Sequence, residues 1–170
     1  HYEVGYDLFD TIMHAREVQA KNLGLFLVEQ SKATGLPIVI HGKAYKPDVE
    51  YCIGSYSTLV GHYVAKHGHT ELKYIDPLAD NLTDVVDNVD YAAVFLWAHN
   101  RKITYEYTGN QADTRPYCDI LPGSVIVDPW RKLESSDDVK VVNCFVTAEN
   151  IDQFILDNGV KGEIDLLSID

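Results

Sequence analysis

Pro37-Ile38-Val39-Ile40-His41-Gly42-Lys43-Ala44-Tyr45-Lys46-Pro47-Asp48 is the stretch that decides how this chain folds. Its first five residues are a short β-branched run of the kind that forms a parallel strand buried on both faces. Gly42 lets the backbone turn closely at the strand end, and Lys46 places an ammonium where an anionic ligand would approach. Beyond the loop, Ser55 can cap a helix running to His67, with Leu59, Val60, Tyr63 and Val64 on its inner face and Gly68 ending it. The first N–H groups of such a helix also favour anions. The order and spacing of Gly, Lys and Ser are not those of a Walker A loop, and no Gly-x-Gly-x-x-Gly fingerprint is present. On physical grounds alone the segment is an ordinary strand-to-helix loop carrying a solvated lysine.

Working outward, residues 72–75, 91–97, 124–127 and 139–145 read as further strands, and residues 147–156 as a last helix ended by Asn158-Gly159. Residues 101–122 are polar and lack periodicity, so a long loop is expected there. Strands alternating with helices imply βαβ crossovers and a mostly parallel sheet, a Rossmann/flavodoxin-like α/β three-layer sandwich. Ligands of such sheets lie beyond the carboxyl ends of the strands. That singles out residues 41–55, Asp76-Pro77, residues 97–100 and residues 128–131. Upstream, residues 7–32 read as one long helix, with Asp7 and Asp10 as candidate caps and Gly35 with Pro37 as its stop. Leu8, Ile12 and Ala15 lie on one line of it, Phe9 and Met13 on another, and Leu23, Leu25, Phe26, Leu27 and Val28 spread round the cylinder. A helix apolar on several sides must be buried on several sides, against its own domain and a second body. The expected division is a helix over residues 1–35 and an α/β domain over residues 36–170.

Composition narrows the function classes. The 170 residues carry 14 basic and 26 acidic side chains, for a net charge of −12. This argues against a nucleic-acid partner or an anionic membrane surface, both of which want clustered Lys and Arg. The longest apolar runs, residues 91–98 and 23–28, fall short of the roughly 20 residues that a bilayer requires. Three cysteines, Cys52, Cys118 and Cys144, stand at wide spacing without a disulfide framework, which points to a reducing cytoplasm. The one Met is Met13, inside a helical pattern, so the chain reads as a segment of a longer protein.

The loop and the segments after it resemble the C-terminal domain of the UDP-glucose/GDP-mannose dehydrogenase family. The phrase Gly42-Lys43-Ala44-Tyr45-Lys46-Pro47-Asp48, then Ser55 and a helix, is similar to that family's Gly-x-Ala-Phe-Lys element. Tyr74-Ile75-Asp76-Pro77 resembles its Tyr-Asp-Pro strand end. Residues 94–99 resemble its apolar third strand and the polar turn behind it. Val127-Asp128-Pro129-Trp130-Arg131 is similar to its Asp-Gly-Arg-Arg strand end. The long helix, with Ala15-Arg16-Glu17-Val18, is similar to the central helix joining the family's two Rossmann-like domains. The resemblance covers roughly residues 7–145, and the shared order of the motifs carries it.

The resemblance implies that Lys46 contacts a UDP-sugar, that Tyr45 packs alongside in place of the usual Phe, and that Arg131 also faces the substrate. An arginine fork suits a phosphate or carboxylate better than a lysine does. It further implies a homodimer through the N-terminal helix. NAD would be bound by a missing upstream domain of the parent enzyme, which oxidises the sugar C6 alcohol to a carboxylate. The catalytic Cys of that family lies in a motif upstream of the central helix, and no such motif occurs here, so no catalytic residue is expected in this chain. Three departures are visible. The family's Asp-x-Arg-x-Ser reads Tyr51-Cys52-Ile53-Gly54-Ser55, Pro129-Trp130 replaces Gly-Arg, and the turn after the third strand is Trp97-Ala98-His99. Together they leave the sugar open. The first, the lost Asp and Arg, favours a rival reading, a non-catalytic α/β domain for assembly or regulation with a decayed nucleotide site, while Lys46 and Arg131 favour binding. His62, His67 and His69 straddle a helix end and lack a completing cluster, so no metal site is expected. Asp84, Asp87 and Asp90 read as the solvated face of a helix. Trp97 and Trp130, at adjacent strand ends, suit the edge of the core better than a stacked base.

Overall fold

The computed structural model describes residues 8–69, 71–79, 84–99 and 116–142. Its elements follow in the order α1 (Leu8–Thr34), β1 (Ile38–His41), α2 (Tyr56–Lys66), β2 (Lys73–Ile75), β3 (Val94–Trp97), β4 (Val125–Val127) and β5 (Lys140–Val142). The five strands form one sheet in the order β2-β1-β3-β4-β5, every neighbouring pair parallel. This is the order of flavodoxin-like α/β folds, and it places the topological switch point between β1 and β3. The helix expected over residues 147–156, Cys144 and most of the expected loop over residues 101–122 lie outside the described residues.

Every residue of β1, β3 and β4 is buried, because the sheet is covered on both faces. Alternate side chains therefore build two cores. Ile38, Ile40, Val94, Leu96, Val125 and Val127 point to one, which α1 and α2 close with Ala20, Leu23, Leu27, Val28, Val60 and Val64. Val39, Phe95, Trp97 and Ile126 point to the other, where Val89, Ala93 and Cys118 cover them. Each fully buried Val, Leu, Ile or Phe contributes about 1.5–3 kcal/mol relative to exposure.

The helix α1 divides at its middle. Ala20, Leu23, Gly24, Leu27, Val28 and Ser31 fall at spacings of three and four, and all six are buried. Leu8, Phe9, Ile12 and Met13, by contrast, stand exposed. Gly35, at φ 73, ends the helix with its N–H on the Ser31 carbonyl, while the Ser31 hydroxyl donates to Leu36 O.

One expectation is overturned. Asp84, Asp87 and Asp90 do not line a helix: residues 84–90 form none. Instead Val85 bridges Tyr74 in parallel, with Tyr74 N–H donating to Asp84 O and Val86 N–H to Tyr74 O. The physical reason is local. Val85-Val86 is a β-branched pair that favours extended backbone, and β2 offers an open edge that such a segment can cover.

Candidate functional site

The carboxyl ends of β1 to β4 meet along one edge of the sheet, and buried polar side chains hold their loops. At the end of β2, Asp76 is buried, and one carboxylate oxygen accepts from the main-chain N–H groups of Lys43 (2.9 Å) and Ala44 (2.8 Å). Its other oxygen accepts from Leu78 N–H at 3.2 Å. Asp76 thus fastens the β1 loop to the β2 loop. Three accepted N–H bonds satisfy this carboxylate, so its burial is tolerated. At the end of β4, Asp128 does the same locally, taking N–H bonds from Trp130 (2.9 Å), Lys132 (2.6 Å) and Leu133 (2.8 Å).

Two histidines complete the frame. His41, at the end of β1, is sandwiched between Trp97 (ring centroids 4.0 Å apart) and Tyr117 (4.6 Å), with both pairs stacked. Its Nε2 accepts from Tyr117 N–H at 2.7 Å, so that nitrogen carries no proton. His99, behind β3, donates from Nε2 to Ala44 O at 3.0 Å, and its Nδ1 lies 3.2 Å from the Tyr117 hydroxyl. Gly42 has φ 103, and a Cβ there would stand 2.7 Å from His99 Cγ, so this turn admits glycine alone.

Lys43 is buried too. Its ammonium pairs with Asp84 and lies 4.7 Å from the centre of the Tyr74 ring. Burial, and after it the charge of Asp84, hold the Tyr74 phenol well above the usual tyrosine range. Ser55 caps α2 by accepting from Ser57 N–H at 3.2 Å. Its hydroxyl donates to Ala44 O, while that of Ser57 donates to Lys43 O. The start of α2 is therefore tied back to the β1 loop through Ser55 and Ser57. From α1, Arg16 donates to Gly54 O and fastens the far limb of the same loop.

On this frame the three residues singled out for substrate fall at the surface. Tyr45, 62% exposed, and Lys46, also exposed, follow the clamped Lys43-Ala44 pair. The loop turns between Tyr45 and Tyr51, whose main chains are joined by a 2.8 Å bond from Tyr45 N–H to Tyr51 O. Arg131 is exposed in the loop behind β4, at φ 52. A non-glycine residue pays steric strain in this left-handed region, and here the three N–H bonds to Asp128 impose it. The fold brings Tyr45, Lys46 and Arg131 to the same edge of the sheet, on loops two strands apart.

The other candidates divide. Trp97 is 1% exposed and belongs to the core. Trp130 is 43% exposed, and its indole N–H donates to Ala98 O at 3.2 Å. Cys118 is buried, and burial, with a smaller part from Asp119, pushes its thiol up to about 12. Such a thiol is a poor nucleophile. His67 bonds the Tyr63 carbonyl through Nδ1, and no cluster of three or more His, Cys, Asp or Glu poised for a metal occurs among the described residues. Sequence reasoning missed the roles of Asp76, Asp128, His41 and His99 as anchors. Their positions at or just past strand ends were the available signal.

Two amides of the β1 turn are already engaged. A pyrophosphate in that position would need the N–H groups of Lys43 and Ala44, and Asp76 already takes both. An anion at this turn therefore does not have those two amides to bind it. No helix among the described residues is long and apolar enough to cross a membrane. Comparison with protein-family models and with curated protein sequences gives no match to this chain.

Proposed function

We propose that this chain is the UDP-sugar-binding part of an NAD-dependent nucleotide-sugar 6-dehydrogenase of the UDP-glucose to UDP-glucuronate type. One observation carries the reading. The β2-β1-β3-β4-β5 order sets the loops of Lys46 and Arg131 on one carboxyl edge, while the strand-end aspartates of that edge are turned inward onto main-chain N–H groups. In a chain of net charge −12, a diphosphate needs local cations, and those two side chains supply them. NAD belongs to an upstream domain in this reading, in keeping with a β1 turn whose amides are occupied. The domain contributes positioning, holding the nucleotide so that the sugar C6 meets chemistry supplied elsewhere. A cytoplasmic homodimer through the exposed apolar half of α1 belongs to the same proposal.

The rival, an assembly or regulatory domain without nucleotide, draws on Tyr51 and Ile53, which stand exposed where the resembled family has an acid and an arginine. An amide NMR titration of the chain with UDP, with AMP as the control, separates the two. Shifts around Lys46 and Arg131 with UDP and not AMP are expected. Lys46→Ala and Arg131→Ala should each weaken UDP by about tenfold, the size of one charge-assisted hydrogen bond. An unchanged spectrum at millimolar UDP would favour the assembly domain.

A further inference from the structure

The tryptophan of the β4 loop is held in an unusual way for a surface residue. Its main-chain N–H is bonded to the fully buried Asp128, and its indole N–H reaches across to Ala98 O, behind the neighbouring strand β3. Ala98 is itself fixed, since its N–H donates to His41 O at 2.9 Å at the end of β1. The residue is thus held through its main chain and its indole N–H at the β3–β4 edge, beside the switch point, and it remains 43% exposed. A tryptophan needed only to seal the core would be covered, as Trp97 is between the ends of β1 and β3 beside His41. A flat ring whose polar N–H is already satisfied has its face left to offer, and a nucleobase is the flat apolar partner that pairs with it. The next residue is Arg131, exposed in the same loop with a left-handed backbone.

We infer that Trp130 is the stacking platform for the base of the bound nucleotide, with Arg131 beside it taking the phosphates. This rests on the nucleotide reading above and adds to it the residue that recognises the base. Stacking is tolerant of base identity, so the platform supplies affinity and leaves discrimination between bases to other contacts.

The test measures binding of UDP and of inorganic pyrophosphate, which lacks a base, to the wild-type chain, Trp130→Ala and Trp130→Phe. Loss of one stacked base should weaken UDP by about tenfold in Trp130→Ala while leaving pyrophosphate unchanged. Trp130→Phe, which keeps a ring, should hold UDP within about threefold. Indole fluorescence should also be quenched by UDP and not by pyrophosphate in the wild type, with the quench lost in Trp130→Phe. Equal UDP affinity in wild type and Trp130→Ala would overturn the platform and leave the nucleotide reading standing. An equal loss of UDP and pyrophosphate would also overturn it, since Trp130 would then only brace the loop of Arg131. If the wild type bound neither ligand, the nucleotide reading would fail and the platform with it.

Discussion

Asp76 shows what one residue does at this edge. Three main-chain N–H groups from two loops end on its carboxylate, and two of them belong to the buried Lys43-Ala44 pair. Asp76→Asn would put an amide NH2 where one oxygen now accepts. Whichever way the amide lies, at least one main-chain N–H then faces a donor, and the bonds that survive lose their charged acceptor. Hydrogen bonds to a charged group contribute about 1.5–3 kcal/mol, so a loss of roughly 2–3 kcal/mol is expected, read as a lowered urea midpoint. Lys46→Ala, at an exposed position, should stay within about 0.5 kcal/mol of wild type in the same measurement. If the two variants unfolded alike, Asp76 would not be the clamp described. The sequence marked Asp76 as a strand-end residue next to Pro77, but two of its three partners lie 32 and 33 positions away, beyond the reach of any local pattern.

At the scale of elements, the crossing of α1 and α2 depends on Gly24. A Cβ built there stands 2.9 Å from Tyr63 Cβ and 3.3 Å from Val60 O. Replacing a mid-helix glycine by alanine ordinarily gains about 1 kcal/mol in propensity, whereas forcing volume into a packed contact costs about 1–3 kcal/mol. Both neighbours are fixed to the α2 backbone and cannot swing aside, so the second effect wins. Gly24→Ala should lower stability by about 1 kcal/mol, and Gly24→Val by more, in thermal or denaturant unfolding. A more stable Gly24→Ala would show that the helices can part without loss. The helix itself was legible from its stop at Gly35 and its apolar content. That only residues 20–31 carry the buried stripe was not, because a multi-sided apolar pattern does not say which side meets the sheet. The extended segment at residues 84–86 was misread for a related reason. Spaced aspartates suit a helix face, but the β-branched Val85-Val86 pair, the nearby β2 edge and Lys43 select the other conformation.

At the scale of the whole molecule, two buried acids among the described residues give stability an alkaline pH dependence. In the unfolded chain Cys118 and Tyr74 ionise at ordinary values of 9.0 and 10.0. Folding raises Cys118 to about 12, through burial and then Asp119, and raises Tyr74 further, through burial and then Asp84. Their contribution to stability is therefore complete below pH 9. Above it the unfolded state holds fewer protons than the folded one, and stability falls as pH rises towards and through the folded values. Denaturation midpoints should be insensitive to these groups up to about pH 9 and decline beyond, and Cys118→Ala should decline less steeply by at most about one proton. Parallel curves for the two proteins between about pH 9 and about pH 12 would remove Cys118 from the account.

Local chemistry by itself determined most of the described elements. The β-branched runs at 38–41 and 125–127, the Ser55 cap and the glycines at 35 and 68 act over a few residues, so their effect is written in neighbouring letters. The parallel sheet followed from the alternation of strands and helices. Strand order, the inward turn of Asp76 and Asp128, the sandwich of His41 between Trp97 and Tyr117, and the difference between a covered Trp97 and an open Trp130 were decided only by the tertiary structure. Each depends on groups far apart in sequence that the closed sheet brings within hydrogen-bonding or stacking distance, where the cost of burying a polar group forces it to find a partner.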